Sequence, residues 1–241
     1  AIKIYKAYGN ESISVVKSNP YRLADDIWGI GFKTADKIAQ KLGYDKNSYE
    51  RCRSGIIYVL NELADDGHCF AERSQLVEKA EKMLDLDREL IESTISRMIE
   101  EGAIIADVND SIYLPPFYYS EVGVARRIKD ILSVPSIYNS FNHDKVLEQV
   151  QKESGIRYDD IQIEAIKTAA KSKFMVLTGG PGTGKTTTTQ GIIRLFRKLS
   201  AKVLLAAPTG RAAKRLSEST GMEAKTIHRL LEYKPPEEIG R

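Results

Sequence analysis

The chain has 241 residues, room for about two domains, and its 42% hydrophobic and 29% charged residues read as soluble and globular. No apolar run approaches the roughly 20 residues of a membrane span, the start has no signal-peptide pattern, and two cysteines, Cys52 and Cys69, make neither a disulfide framework nor a metal cluster, which suits a reducing cytoplasm. The net charge of +3 covers an asymmetry, because residues 157–241 hold 16 Lys+Arg against 8 Asp+Glu, residues 49–156 hold 12 against 20, and residues 1–48 hold 8 against 5, so a polyanion is expected at the basic ends.

Residues 1–48 read as short helices joined by tight turns. Ile2, Ile4 and Tyr5 lead to a break at Gly9, and Pro20 opens a helix through about Asp26. Next stands Ile27-Trp28-Gly29-Ile30-Gly31-Phe32-Lys33, then a helical run ending near Gly43. Gly29 and Gly31 around one apolar residue make a tight hairpin between helices. Such a hairpin leaves N–H groups at the following helix N-terminus free for a phosphate. Lys33 and Lys37 lie four apart and share a face beside that point. The segment resembles the helix-hairpin-helix motif, which holds DNA backbones without reading bases. It also reads as a structural turn with Ile27, Ile30 and Ile38 in the core. Trp28 is expected to pack rather than to stack on a base.

Residues 49–134 carry three helical patterns. Ile56, Leu60 and Leu63 mark the first, Leu76, Ala80 and Leu84 the second, and Leu90, Ile91, Ile95, Met98 and Ile99 the third, which Gly102 ends. Residues 103–108 and 111–114 read as two strands around the turn Asn109-Asp110. Three helices and a hairpin resemble a winged helix, a fold that often reads DNA through its third helix. Here that helix carries Asp87, Glu89, Glu92, Glu100 and Glu101 against Arg88 and Arg97, so repulsion from phosphates makes it scaffold. Residues 118–132 read as another helix, and residues 135–156 as a polar linker with one short helical run at 145–150.

From Arg157 the pattern becomes α/β. Residues 161–166 open a helix. A short apolar strand, Phe174-Met175-Val176-Leu177, then leads into Thr178-Gly179-Gly180-Pro181-Gly182-Thr183-Gly184-Lys185-Thr186-Thr187 and a helix through Leu199. Gly179, Gly184, Lys185 and Thr186 fit G-x-x-x-x-G-K-[ST], the phosphate-binding loop. Gly180, Gly182 and Gly184 let the backbone curl so that successive N–H groups, with those of Thr183 and Thr187, face phosphate oxygens, and the helix adds its positive end. Lys185 would reach the β- and γ-phosphates of ATP, and the Thr186 hydroxyl would ligate Mg²⁺. A second strand, residues 203–207, precedes Pro208-Thr209-Gly210-Arg211, at the strand end where open α/β sheets bind ligands. Residues 226–231 form a short helical run with His228, and residues 235–241 a polar tail.

Together these residues resemble the RecD-type DNA helicases of superfamily 1, in the longer form often called exodeoxyribonuclease V alpha-chain homologues. The matching pieces are Asn19-Pro20-Tyr21-Arg22-Leu23-Ala24 with residues 27–41, the glutamine at Gln162, and residues 179–187, 207–216 and 226–231. The resemblance implies ATP-driven 5′-to-3′ movement on single-stranded DNA. It also implies an adenine contact at Gln162, and single-strand contacts among Pro208, Thr209, Gly210, Arg211, Thr226 and His228. The expected fold is a mainly α N-terminal part (helix-hairpin-helix, residues 1–48; winged-helix-like, 49–134), then a partial RecA-like α/β domain at 157–241. The acidic pair and second-domain arginines of a complete motor are missing, since Glu237-Glu238 follows prolines and Asp65-Asp66 sits on a helix pattern. The chain is therefore expected to be a middle fragment, inactive alone. The competing expectation is a non-motor DNA-binding adaptor whose phosphate loop only senses nucleotide. No protein partner is legible.

Overall fold

A computed structural model describes residues 2–234, and the chain divides into two compact units, Ala1–Ala125 and Arg126–Arg241. The first unit begins with α1 (Ile2–Tyr8), a 3₁₀ turn (Gly9–Glu11), α2 (Ser12–Ser18), α3 (Arg22–Asp26) and α4 (Phe32–Lys41). It continues with α5 (Tyr49–Asp65), β1 (Ala71–Glu72), α6 (Arg73–Leu84), α7 (Arg88–Glu100), β2 (Ile105–Ala106), β3 (Ser111–Tyr113) and the start of α8 (Pro115–Leu132). Apolar side chains at helical spacing drive the packing: Ile56 and Leu60 on α5, Leu76, Ala80 and Leu84 on α6, and Ile91, Ile95 and Met98 on α7 are all buried. Each large one contributes roughly 1.5–3 kcal/mol of burial.

The hairpin region does not have a core of its own. Tyr21, Leu23, Ile27 and Phe32 join the same cluster as Ile56, Leu76 and Ile95. Ile27 is buried as expected, whereas Ile30 and Ile38 are half-buried at its margin. The strand pair 103–108 and 111–114 is shorter than its sequence pattern, and it gains a third strand that the pattern did not announce. β3 lies between β1 and β2, antiparallel to both, with Ala71 opposite Ile112 and Ile105 opposite Tyr113. The Asp107 carboxylate closes the turn by accepting from the N–H groups of Asn109 (2.8 Å) and Ser111 (3.0 Å).

The second unit holds α9 (His143–Ser154), α10 (Asp160–Lys171), α11 (Lys185–Lys198), β4 (Leu205–Ala207), α12 (Gly210–Thr220), β5 (Ala224–Thr226) and α13 (Ile227–Leu230). Segment 135–156, expected as a linker, carries α9, whose Leu147 and Val150 pack in a core with Tyr158, Ile166, Ala170 and Leu195. β4 and β5 are parallel, with Leu205 opposite Ala224 and Ala207 opposite Thr226. One expectation fails here. The segment Phe174-Met175-Val176-Leu177 forms no strand, and Val176 is 69% exposed. A strand exists only through a hydrogen-bonded neighbour, and no described segment pairs with it. The tail at 235–241, including Glu237-Glu238, lies outside the described residues. Among the described residues no helix is long and apolar enough to cross a membrane.

Candidate functional site

Two clusters of sequence-singled residues form in the second unit. The first is the glycine-rich loop before α11. Gly182 (φ +73) and Gly184 (φ +78) take left-handed backbone conformations that strain residues with a Cβ. Gly184 is the N-cap of the 14-residue α11, which begins at Lys185. The Lys185 ammonium turns back into the loop and donates to the carbonyl oxygens of Gly179 (2.5 Å) and Gly180. Thr183 Oγ1 donates to the Gly180 carbonyl at 2.8 Å. A Cβ on Gly179 would stand 2.7 Å from Thr183 Oγ1, so the curl leaves no room for a side chain there. Thr186 is exposed and Thr187 half-buried on the first turn of α11. Below them Thr188 is buried and donates to the Gly184 carbonyl at 3.1 Å, tying the helix start to the loop. The result brings one cation and the unpaired N–H groups of a helix start to a single curl of backbone, an arrangement suited to an anion.

Gln162 lies against this loop. It is the third residue of α10 and forms a capping box with Asp159: Gln162 N–H donates to Asp159 Oδ1 (2.8 Å), and Gln162 Oε1 accepts from Asp159 N–H (3.1 Å). Its Nε2 comes within 2.6 Å of the place where a Cβ on Gly184 would be. The amide therefore has its acceptor engaged and its donor facing the loop. Sequence inspection missed the box, although Asp159-x-x-Gln162 has the spacing that announces one.

The second cluster stands at the carboxyl ends of β4 and β5. Because Ala207 pairs with Thr226, the segment Pro208, Thr209, Gly210 and Arg211 emerges beside Thr226 and His228. Thr209 caps α12 by accepting from Ala212 N–H (3.2 Å), and Thr226 caps α13 by accepting from Arg229 N–H (3.2 Å). Two helix starts thus open side by side, with Arg211 exposed at the first. His228 packs edge-on against Tyr233, ring centroids 5.4 Å apart.

The hairpin residues lie in the first unit. Gly29 has φ +84, and Gly31 is the N-cap of α4. Lys33 Nζ lies 5.2 Å from the centre of the Tyr58 ring and 3.8 Å from Glu62 Oε1. The Tyr58 hydroxyl first, and Glu62 after it, hold the ammonium above the ordinary lysine range. Lys37 is exposed and is in none of the ion pairs among the described residues. Trp28 departs from its expectation of packing, being 94% exposed. Ile27 N–H donates to the Leu23 carbonyl and Ile30 N–H to the Ile27 carbonyl (3.0 Å), so the turn sends Ile27 inward and Trp28 outward. Lys3, which no sequence pattern singled out, has its Nζ 5.9 Å from the Trp28 ring centre.

Comparisons with known proteins bear on both units. Residues 1–70 match the family described as "ATP-dependent RecD2 DNA helicase HHH domain", and residues 162–240 match an AAA domain family. The ATP-dependent RecD2 DNA helicase of Deinococcus radiodurans is 31% identical over 98% of this chain and 34% of its own length. The RecBCD enzyme subunit RecD of Mycolicibacterium smegmatis is 31% identical over 63% of this chain and 30% of its own. The ATP-dependent DNA helicase dda of phage T4 is 43% identical over 32% of this chain and 17% of its own. The chain spans about a third of the length of the RecD2 relative.

Proposed function

We propose, from the premise that this chain belongs to the RecD-type family of superfamily 1 DNA helicases, that it carries the nucleotide-binding loop and part of the DNA surface of a motor moving 5′ to 3′ on single-stranded DNA in the cytoplasm. The observation that carries this reading is Lys185 folded onto the Gly179 and Gly180 carbonyls at the start of α11. Neutral carbonyls are weak partners for an ammonium compared with phosphate oxygens, so Lys185 would exchange them for the β- and γ-phosphates of ATP. Gly180, Gly182, Thr183, Gly184 and Thr187 would supply backbone N–H groups, and the exposed Thr186 hydroxyl would hold Mg²⁺. The residues fit such a ligand because the side chains turned into the loop, the Lys185 ammonium and the Thr183 hydroxyl, are hydrogen-bond donors, while Gly182 and Gly184 add no side chain to it. Held there, Mg²⁺ would supply neutralisation of the phosphate charge. Gln162 would contact adenine once its amide leaves the Asp159 box.

Residues 1–48 take the helix-hairpin-helix role, with Gly29, Gly31, Lys33 and Lys37 toward a DNA backbone. Residues 49–134 take the winged-helix role, supported by the order α5-β1-α6-α7-β2-β3. There α7 is scaffold, since Arg88 pairs with Glu81 and Glu92, and Arg97 with Glu101. Residues 157–241 form the first part of the RecA-like motor, with 135–156 supplying α9 as support. Pro208, Thr209, Gly210, Arg211, Thr226 and His228 would touch the single strand. The chain alone binds nucleotide and turns it over slowly, because water attack also needs an acidic pair and arginines from elsewhere. The test is phosphate release by a longer protein that contains this chain. It should be stimulated by single-stranded DNA, be abolished by Lys185→Ala, and accompany unwinding of duplexes with a 5′ tail. Nucleotide binding without DNA-stimulated turnover would replace the motor by an adaptor.

A further inference from the structure

Trp28 is the single tryptophan of the chain and is 94% exposed. An aromatic side chain of that size is rarely left in water, and here the backbone holds it there. The Ile27 carbonyl accepts from Ile30 N–H at 3.0 Å, and Gly29, third residue of that four-residue turn, has φ +84. This is the geometry of a type II turn with Trp28 at its first corner. On either side Ile27 (7%) and Phe32 (5%) are anchored in the core, so the indole cannot fold inward without withdrawing them. One ammonium group lies beside the ring, and two more lysines follow in the chain. Lys3 Nζ is 5.9 Å from the ring centre, and Lys33 and Lys37 lie on α4, the helix that the turn feeds.

A flat apolar face fixed at a hairpin tip, with the Lys3 ammonium beside it and Lys33 and Lys37 on the helix that follows, matches one ligand chemistry, a planar base attached to an anionic backbone. We propose that Trp28 is a stacking platform for an unpaired DNA base, with the hairpin lysines neutralising the adjoining phosphates. Because a stacked base tolerates any sequence, the platform adds affinity without adding a sequence preference. The inference rests on the reading that this chain handles DNA and deepens it, since backbone clamping alone needs no indole.

As the only tryptophan, Trp28 reports on itself. Intrinsic fluorescence of the 241-residue chain is followed while oligothymidylate, an abasic strand of equal length or a blunt duplex is added. Anisotropy of labelled DNA measures binding independently. Oligothymidylate should quench the emission in step with binding, and the abasic strand should bind without quenching. Trp28→Ala should weaken oligothymidylate binding about tenfold and leave the abasic strand unaffected, while Trp28→Phe stays near wild type. Circular dichroism of both variants checks the fold, which an exposed side chain does not support. Binding with unmoved fluorescence, or full affinity in Trp28→Ala, overturns the stacking role and leaves the backbone clamp standing. Equal quenching by blunt duplex overturns the assignment to an unpaired base. Absence of binding to every DNA overturns the clamp and the platform together.

Discussion

Arg51 Nε donates to Asp36 Oδ1 at 2.9 Å, and both residues are buried, at 6% and 8% exposure. This pair bolts α4, which follows the hairpin, to α5. Arg51 Nη1 also donates to the carbonyls of Lys46 (3.1 Å) and Leu84 (3.0 Å), and the Tyr21 hydroxyl donates to Asp36 Oδ1 at 2.7 Å. The network is satisfied, with no buried side-chain polar atom left unpartnered among the described residues. Removing one member leaves a buried charge alone. Asp36→Ala should therefore destabilise the first unit by about 3–5 kcal/mol, read as a lower urea midpoint by circular dichroism. A loss under about 1 kcal/mol, the usual worth of an exposed pair, would mean the pair is solvated.

Tyrosines bonded to carboxylates set an alkaline limit on stability. Burial first, and then the bond to Asp26, pushes Tyr8 up to about 12, and burial followed by the bond to Glu101 does the same for Tyr49. Tyr21 is raised further by burial and by Asp36. A folded-state value above the unfolded one means stability is fully present below pH ~10 and is lost as pH rises through about 12. The urea midpoint should fall across that window, with tyrosinate absorbance lagging behind that of free tyrosine. A flat midpoint there would contradict these contacts.

Gly191 is where α11 meets α10. A Cβ there would lie 2.5 Å from Ile166 Cδ1 and about 3.0 Å from the Tyr158 ring. Gly191→Ala gains helix propensity of about 1 kcal/mol but overpacks by about 1–3 kcal/mol. Net destabilisation is expected, with weaker nucleotide binding, because α11 carries Lys185. Ile166→Val removes the clashing methyl and should restore part of both. Stabilisation by Gly191→Ala alone would show that the two helices are not in close contact.

The hairpin lysines should differ in worth. Lys33 is already engaged by Tyr58 and Glu62, whereas Lys37 is in no ion pair among the described residues. Lys37→Glu should therefore weaken DNA binding more than Lys33→Glu, uniformly across sequences. Each lost phosphate contact should flatten the salt dependence by about 0.7–0.9 in log–log slope. A loss confined to one sequence would contradict backbone clamping.

Much of this architecture was legible because helical periodicity survives in single segments. Ile56, Leu60 and Leu63, or Ile91, Ile95 and Met98, declare their buried faces without help from the rest of the chain. Features that depend on a distant partner were not legible. Asp36 and Arg51 look like surface charges until α4 and α5 meet. β1 and β5, of two and three residues, are too short to show a period. The apolar run at Phe174 promises a strand but has no neighbour among the described residues. Trp28 misled because indole hydrophobicity suggested a core position, while the turn between Ile27 and Ile30 decided otherwise. In the glycine loop the residue types were legible. The Lys185 contacts and the Gln162 capping box required the folded backbone.

The most direct measurement is a calorimetric titration of the chain with Mg–ATP and with AMP, for wild type and Lys185→Ala. A charged hydrogen bond to the β/γ-phosphates is worth about 1.5–3 kcal/mol, so Lys185→Ala should lower Mg–ATP affinity about 10- to 150-fold. AMP, which lacks those phosphates, should bind both proteins equally. Equal Mg–ATP affinity in wild type and a correctly folded Lys185→Ala would contradict the account.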